Sequence, residues 1–232
     1  MNTEDAWDSE DWMLNARHLV EWVCSINSDR PLMLLIRHSH RATLQNHTEM
    51  VSAGLTGLGR TLAVEFGTRI PKGRPMHVFT SFVPRCFETA EAIAEGYTET
   101  GGHVVDIDSL PILVGPQIMD REVWKELHPN GENITEFVNR WANGEFKDRM
   151  ESFASYQERL LEGTVTRLTG SAENNVYIHV THDLALMSSK RMLHDRPLVF
   201  DDREPYLGGL GVTSENMKLR LFIASENNSY WI

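Results

Sequence analysis

Basic residues are scarce: 22 Lys and Arg stand against 33 Asp and Glu in 232 residues, a formal charge of −11. A body that acidic repels nucleic acid and anionic membrane surfaces, which excludes generic backbone binding to either. Cysteine is scarcer still. Cys24 and Cys86 are too few for a disulfide framework and read as packed thiols. No apolar run approaches the roughly 18 residues of a membrane helix. The opening MNTEDAWDSEDW is acidic where a signal peptide is basic and then apolar. Repeats and low-complexity tracts are absent too. These absences predict a cytoplasmic globular protein. Apolar residues at 41 % and charged residues at 24 % are the proportions of a folded chain. The length suits one α/β domain over residues 1–232, with room for an insertion.

Periodicity supplies the elements. Residues before Asp29 read as one amphipathic helix, because Trp12, Ala16, Leu19, Val23 and Ile26 recur at three- and four-residue steps. Pro31 closes it. Residues 32–36 form a continuous apolar run, the pattern of a parallel strand covered on both faces. Leu55, Leu58, Leu62 and Phe66 mark a helix with Thr56 as N-cap. The alternation repeats, with strands at 76–80 and 103–107 around a helix through Phe87, Ala90, Ala94 and Tyr97. A fourth strand at 175–180 precedes a helix through Leu184, Met187 and Met192. This order predicts a three-layer α/β/α fold with a mainly parallel central sheet. Strand signals stop over 111–170. Two apolar faces appear there instead, one of Ile134, Phe137, Val138 and Trp141, the other of Met150, Phe153, Leu160, Leu161 and Leu168. That stretch reads as a helical insertion or cap. Gly208, Gly209 and residues 219–223 predict a final edge strand or hairpin.

The ends of the predicted strands carry the chemistry. The first ends in Arg37–His38–Ser39–His40–Arg41, the second in Thr80–Ser81 with Arg85 after it, the fourth in Thr181–His182–Asp183. Open parallel sheets bind ligands outside the carboxyl ends of their strands. Arg37, Arg41, Arg85, His38, His182 and Asp183 are therefore expected in one crevice. Three guanidinium groups crowded together need an anion to offset them, and the planar Arg fork matches phosphate oxygens. The expected partner is a small phosphorylated metabolite. Nothing in the sequence sets the oligomeric state.

Four blocks, Leu35–Ile36–Arg37–His38, Leu55–Thr56 with Gly59, Ser81 to Arg85 with Glu88–Thr89–Ala90, and His182–Asp183, resemble in that order the histidine phosphatase superfamily. That family includes phosphoglycerate mutases and acid phosphatases. The resemblance implies hydrolysis of a small phosphomonoester through a phosphohistidine on His38. Arg37, Arg41, Arg85 and His182 would bind the phosphoryl group, with no metal and no organic cofactor. His182–Asp183 is similar to the acid-phosphatase type, which implies Asp183 as the general acid. No mutase-type segment is recognisable around Glu122, Glu126 or Glu132, which disfavours a mutase. The chemistry is consistent. Neighbouring Arg charges keep an imidazole neutral and its lone pair free, and they stabilise phosphoryl oxygens during transfer.

Two departures stand out: Ser39 where the family usually has Gly, and Thr43 where the acid-phosphatase branch tends to have Pro. Ser39 either strains a turn that needs φ > 0 or adds a hydroxyl near the pocket. Two rival readings stay open. One is a metal-dependent hydrolase on His38, His40, His182 and Asp183, since side chains two apart on an extended chain share a face. Three Arg side chains nearby would repel its cation. The other is a non-catalytic phosphoryl-binding regulatory module, for which Ser39 speaks. Trp124 and Trp141 read first as core packing and second as substrate contacts.

Overall fold

In the computed structural model, which describes residues 3–169, 174–215 and 218–231, the chain opens with helix α1 (Thr3–Ser9). A short 3-10 turn (Asp11–Met13) and helix α2 (Leu14–Ser25) follow. The one helix expected before Asp29 is thus two. Extended backbone at Glu10 breaks it, and the break lets both Trp7 and Met13 enter the core. Next come β1 (Leu32–Arg37), α3 (Glu49–Ser52), α4 (Gly57–Arg69), β2 (Met76–Thr80), α5 (Pro84–Glu99) and β3 (Val104–Ser109). Thr56 caps α4 as expected, its hydroxyl accepting from the Gly59 N–H.

Helices α6 (Arg121–Glu126), α7 (Ile134–Ala142), α8 (Phe153–Thr164) and α9 (Thr166–Thr169) occupy the stretch expected to be helical. Its expected end, Gly170, lies outside the described residues. Strand β4 (Val176–Thr181) and α10 (Asp183–His194) return the chain to the sheet, and β5 (Gly209–Glu215), β6 (Lys218–Ile223) and β7 (Asn228–Trp231) finish it. None of the described helices is long and apolar enough to cross a membrane.

The sheet has the order β3-β2-β4-β1-β5-β6-β7. The first four strands in that order are parallel, while β5 to β7 run antiparallel. The expected edge hairpin is therefore a three-stranded extension. Its first strand pairs along β1 from Leu32↔Thr213 to Ile36↔Gly209.

All of β1 is buried, and its side chains alternate between two cores. Leu32, Leu34 and Ile36 pack with α1, α2, α4 and α5. Met33 and Leu35 pack with α10 and the helices between β3 and β4. Helices on both faces explain why that run carries no polar alternation. The layers bring three strand ends together. Arg37 lies opposite Thr181 in the register, the His38 N–H donates to the Thr181 carbonyl at 2.9 Å, and the Ser81 N–H donates to the Val180 carbonyl at 3.3 Å.

Candidate active site

Six predicted residues meet in one cavity of about 70 Å³: Arg37, His38, Arg41, Arg85, His182 and Asp183. Arg37 is the last residue of β1, Arg85 stands in the first turn of α5, and His182 and Asp183 open α10. Arg37, His38, Arg41, Arg85 and His182 are all buried. Glycine makes room twice. A Cβ on Gly59 would sit 2.0 Å from the His40 carbonyl oxygen, so only glycine lets α4 close against the loop after His38. Gly131, on the cavity wall with φ 73°, would place a Cβ 2.5 Å from Asp183 Oδ2.

His38 is set by its neighbours. Its Nδ1–H donates to the Ser39 carbonyl at 2.8 Å, which leaves the lone pair on Nε2. Arg85 Nε donates to that lone pair at 3.0 Å, and Arg85 Nη2 donates to His182 Nδ1 at 2.9 Å. His182 then carries its proton on Nε2, which donates to Ser81 Oγ at 2.9 Å. Burial first, then the charges of Arg85 and Arg37, hold His38 well below the usual imidazole range. Burial and Arg85 do the same to His182. Both imidazoles are therefore neutral, and the His38 lone pair faces guanidinium groups. Cys86 lies 3.4 Å from His182 Nε2, but burial pushes its thiol up to about 12 and keeps it unreactive.

Arg37 is gripped from several sides. Nη1 donates to the Glu204 carbonyl at 3.0 Å, Nη2 donates to Asp183 Oδ2 at 3.1 Å, and the guanidinium lies 4.6 Å from the centre of the Tyr206 ring. Asp183 Oδ2 accepts a second bond, from Arg203 Nη2 at 3.0 Å. Burial alone would raise this carboxyl, but the charges of Arg37 and Arg203 and the Arg203 bond outweigh it, and it falls to about 2. Asp183 is a carboxylate in the free protein. Arg41 donates to Asn130 Oδ1 at 3.0 Å and to the Pro129 carbonyl at 3.1 Å.

A sequence model described as histidine phosphatase superfamily (branch 1) matches residues 33–206. The chain belongs to the histidine phosphatase superfamily. No curated protein matches it. Among solved structures, the fold is similar to that of Bacillus stearothermophilus YhfR, at 21% identity over 83% of this chain and 96% of that one, with a TM-score of 0.56. It is similar to a phosphoglycerate mutase from Bacillus anthracis str. Sterne, at 13% identity over 81% and 90%, with a TM-score of 0.56. A mycobacterial glucosyl-3-phosphoglycerate phosphatase follows at 16% identity over 84% and 98%, with a TM-score of 0.50.

Within this histidine phosphatase fold, Ser39 does not strain its turn. The residue is not among those with positive φ. Its hydroxyl, next in sequence to His38, donates to the Gly59 carbonyl at 2.6 Å. His40 leaves the cluster. It bonds Thr56 Oγ1 at 2.8 Å and stacks on Trp12, so the four-ligand metal set of the rival reading does not assemble. Among the described residues, no group of three or more His, Cys, Asp or Glu is placed to hold a metal ion.

Glu122, Glu126 and Glu132 do not line the cavity; their neighbours are Lys125, Arg140 and His128. Of the two tryptophans, Trp141 is core, while Trp124 reaches the cavity wall. Sequence reasoning missed Arg203, Tyr206 and Asn130, which hold Asp183, Arg37 and Arg41. Only the bare presence of Arg and Tyr near the family block could have signalled them.

Proposed function

We propose that this histidine phosphatase superfamily protein hydrolyses small phosphomonoesters, with His38 as nucleophile. The observation that carries this is the neutral His38, its Nδ1–H tied to Ser39 and its Nε2 lone pair turned toward Arg85. Phosphoryl oxygens entering the cavity take over the donors of Arg85, Arg37 and His182, which frees that lone pair. Nε2 attacks phosphorus as the ester P–O bond breaks, giving phosphohistidine and the alcohol. Water then attacks the phosphohistidine, and inorganic phosphate leaves with the imidazole restored. The guanidinium charges stabilise the transferring oxygens in both steps.

Asp183 is the one carboxylate lining the cavity among the described residues. It is assigned to protonate the leaving oxygen. A bound dianion competes for Arg37 and adds negative charge beside the carboxylate, and both effects raise its affinity for a proton. Phosphatases stand among structures of the same fold. Wild-type protein quenched during turnover should carry an acid-labile phosphate on His38. His38→Ala should lose turnover while keeping its melting temperature. Turnover without any labelled His38 would overturn the covalent route. Activity should survive EDTA; loss restored by zinc or manganese would favour the metal reading instead. Failure to hydrolyse an aryl phosphate at any pH would favour the binding module.

A further inference from the structure

Beside the arginines, the cavity has an apolar lining. Met50, Val51, Val114, Trp124, Leu127 and Ile134 form it. His128, whose side chain is 60% exposed, also lines the cavity. Backbone acceptors around the wall are already taken. The Met50 carbonyl accepts from Arg85 Nη1 at 2.6 Å, the Pro129 carbonyl from Arg41 Nη2 at 3.1 Å, and the Asn130 carbonyl from Arg203 Nη2 at 2.6 Å. A leaving group rich in hydroxyls or bearing a carboxylate would lose its water against the five aliphatic side chains of this wall and find no hydrogen-bond partner among them. An apolar ring suffers no such loss and gains contact with the indole.

The polar side of the cavity points the same way. Asp183 Oδ2 is bonded to both Arg37 and Arg203, and these ion pairs disfavour the protonated acid that an aliphatic leaving group needs. Phenols leave with less help from an acid than aliphatic alcohols.

Resting on the phosphatase reading, we infer that the substrate is the phosphomonoester of an apolar aromatic alcohol, and that Trp124 selects it. Steady-state hydrolysis of 2-naphthyl, phenyl, 4-carboxyphenyl and methyl phosphate and of phosphoserine tests this. The two phenyl esters share a phenolic leaving group and differ in charge. Naphthyl and phenyl phosphate should exceed 4-carboxyphenyl phosphate in kcat/KM by about tenfold or more, with the difference mostly in KM. Trp124→Ala should lower kcat/KM for naphthyl phosphate about tenfold more than for methyl phosphate. Val51→Asn, on the exposed side of α3, should narrow the gap between phenyl and carboxyphenyl esters. It decides the matter if Trp124→Ala does not fold. Preference for 4-carboxyphenyl phosphate or phosphoserine, or equal losses on every ester, would overturn the inference and leave the phosphatase reading intact. No turnover of any ester would overturn both.

Discussion

Arg85 touches both imidazoles of the site, donating to His38 Nε2 and His182 Nδ1, and ties α3 to the cavity through the Met50 carbonyl. Its removal should cost the transition state about 3 kcal/mol, the usual worth of a preorganised charge. Arg85→Ala is expected to lower kcat/KM by about a hundredfold or more, with the melting temperature held, because relief among crowded cations offsets the lost contacts. A pH profile gives a second reading. Arg85 is among the charges that hold His38 below 6.5, and only neutral His38 attacks. The acid limb of kcat/KM should lie well below 6.5 in the wild type and move up in the variant. A limb that stays put would detach Arg85 from the nucleophile. These side chains were legible in the sequence because each sits at a strand end or in the first turn of the helix that follows one. Arg203 and Tyr206 were not. They follow a 3-10 turn (Phe200–Asp202) with no periodicity and reach Asp183 and Arg37 only by tertiary folding.

The segment that delivers them is anchored by α10. Lys190 is fully buried, and its ammonium donates to the Asp202 carbonyl, to Glu204 Oε1 at 3.0 Å and to Ser225 Oγ at 2.6 Å. Glu204, also fully buried, takes Asn15 Nδ2 on its other oxygen at 2.8 Å, while its carbonyl holds Arg37. Removing one partner of such a pair strands the other charge and costs about 3–5 kcal/mol. Lys190→Met should therefore lower the melting temperature by about 10 °C and weaken activity through Arg37. Adding Glu204→Gln should recover most of the stability. Unfolding scans of the single and double variants test this; a single variant as stable as wild type would show that the pair is not what anchors the segment. At this scale the parallel strands and their helices were readable from buried runs and three-to-four spacing. The buried Lys190 was not, since a lysine in a helix sequence looks the same whether it faces water or a carboxylate. Nor was the extension through β7, whose order depends on pairing between distant segments.

The whole molecule should respond to acid through the imidazoles it buries. His179 lies within β4, stacked on Phe79 with ring centres 5.0 Å apart, and Arg167 lies 4.2 Å from the same Phe79 ring. Burial, and secondarily the Arg167 charge, lower His179 to about 3. His38 and His182 are lowered in the same direction. In the unfolded chain each takes up a proton near 6.5, while the folded protein excludes it. The unfolded state therefore binds more protons below that pH, and stability falls as pH falls. Each group contributes about 1.4 kcal/mol per pH unit until its folded value is reached. Asp183 and Asp202, both lowered from 3.8 to about 2, act in the same sense further down. Their contribution is present above 3.8 and is lost as pH falls toward 2. Self-repulsion works the other way, because a body of −11 loses its net charge on approaching a pI of about 5.4. A difference measurement cancels that term. His179→Leu keeps the site untouched and removes one of the three excluded protons. Its stability relative to wild type, from urea unfolding, should rise by about 2 kcal/mol between pH 7 and about pH 5, whatever the change in packing does at pH 7. If the two proteins lose stability in parallel over that range, the folded protein already admits a proton at His179, and its acid sensitivity must come from His38, His182 and the carboxylates.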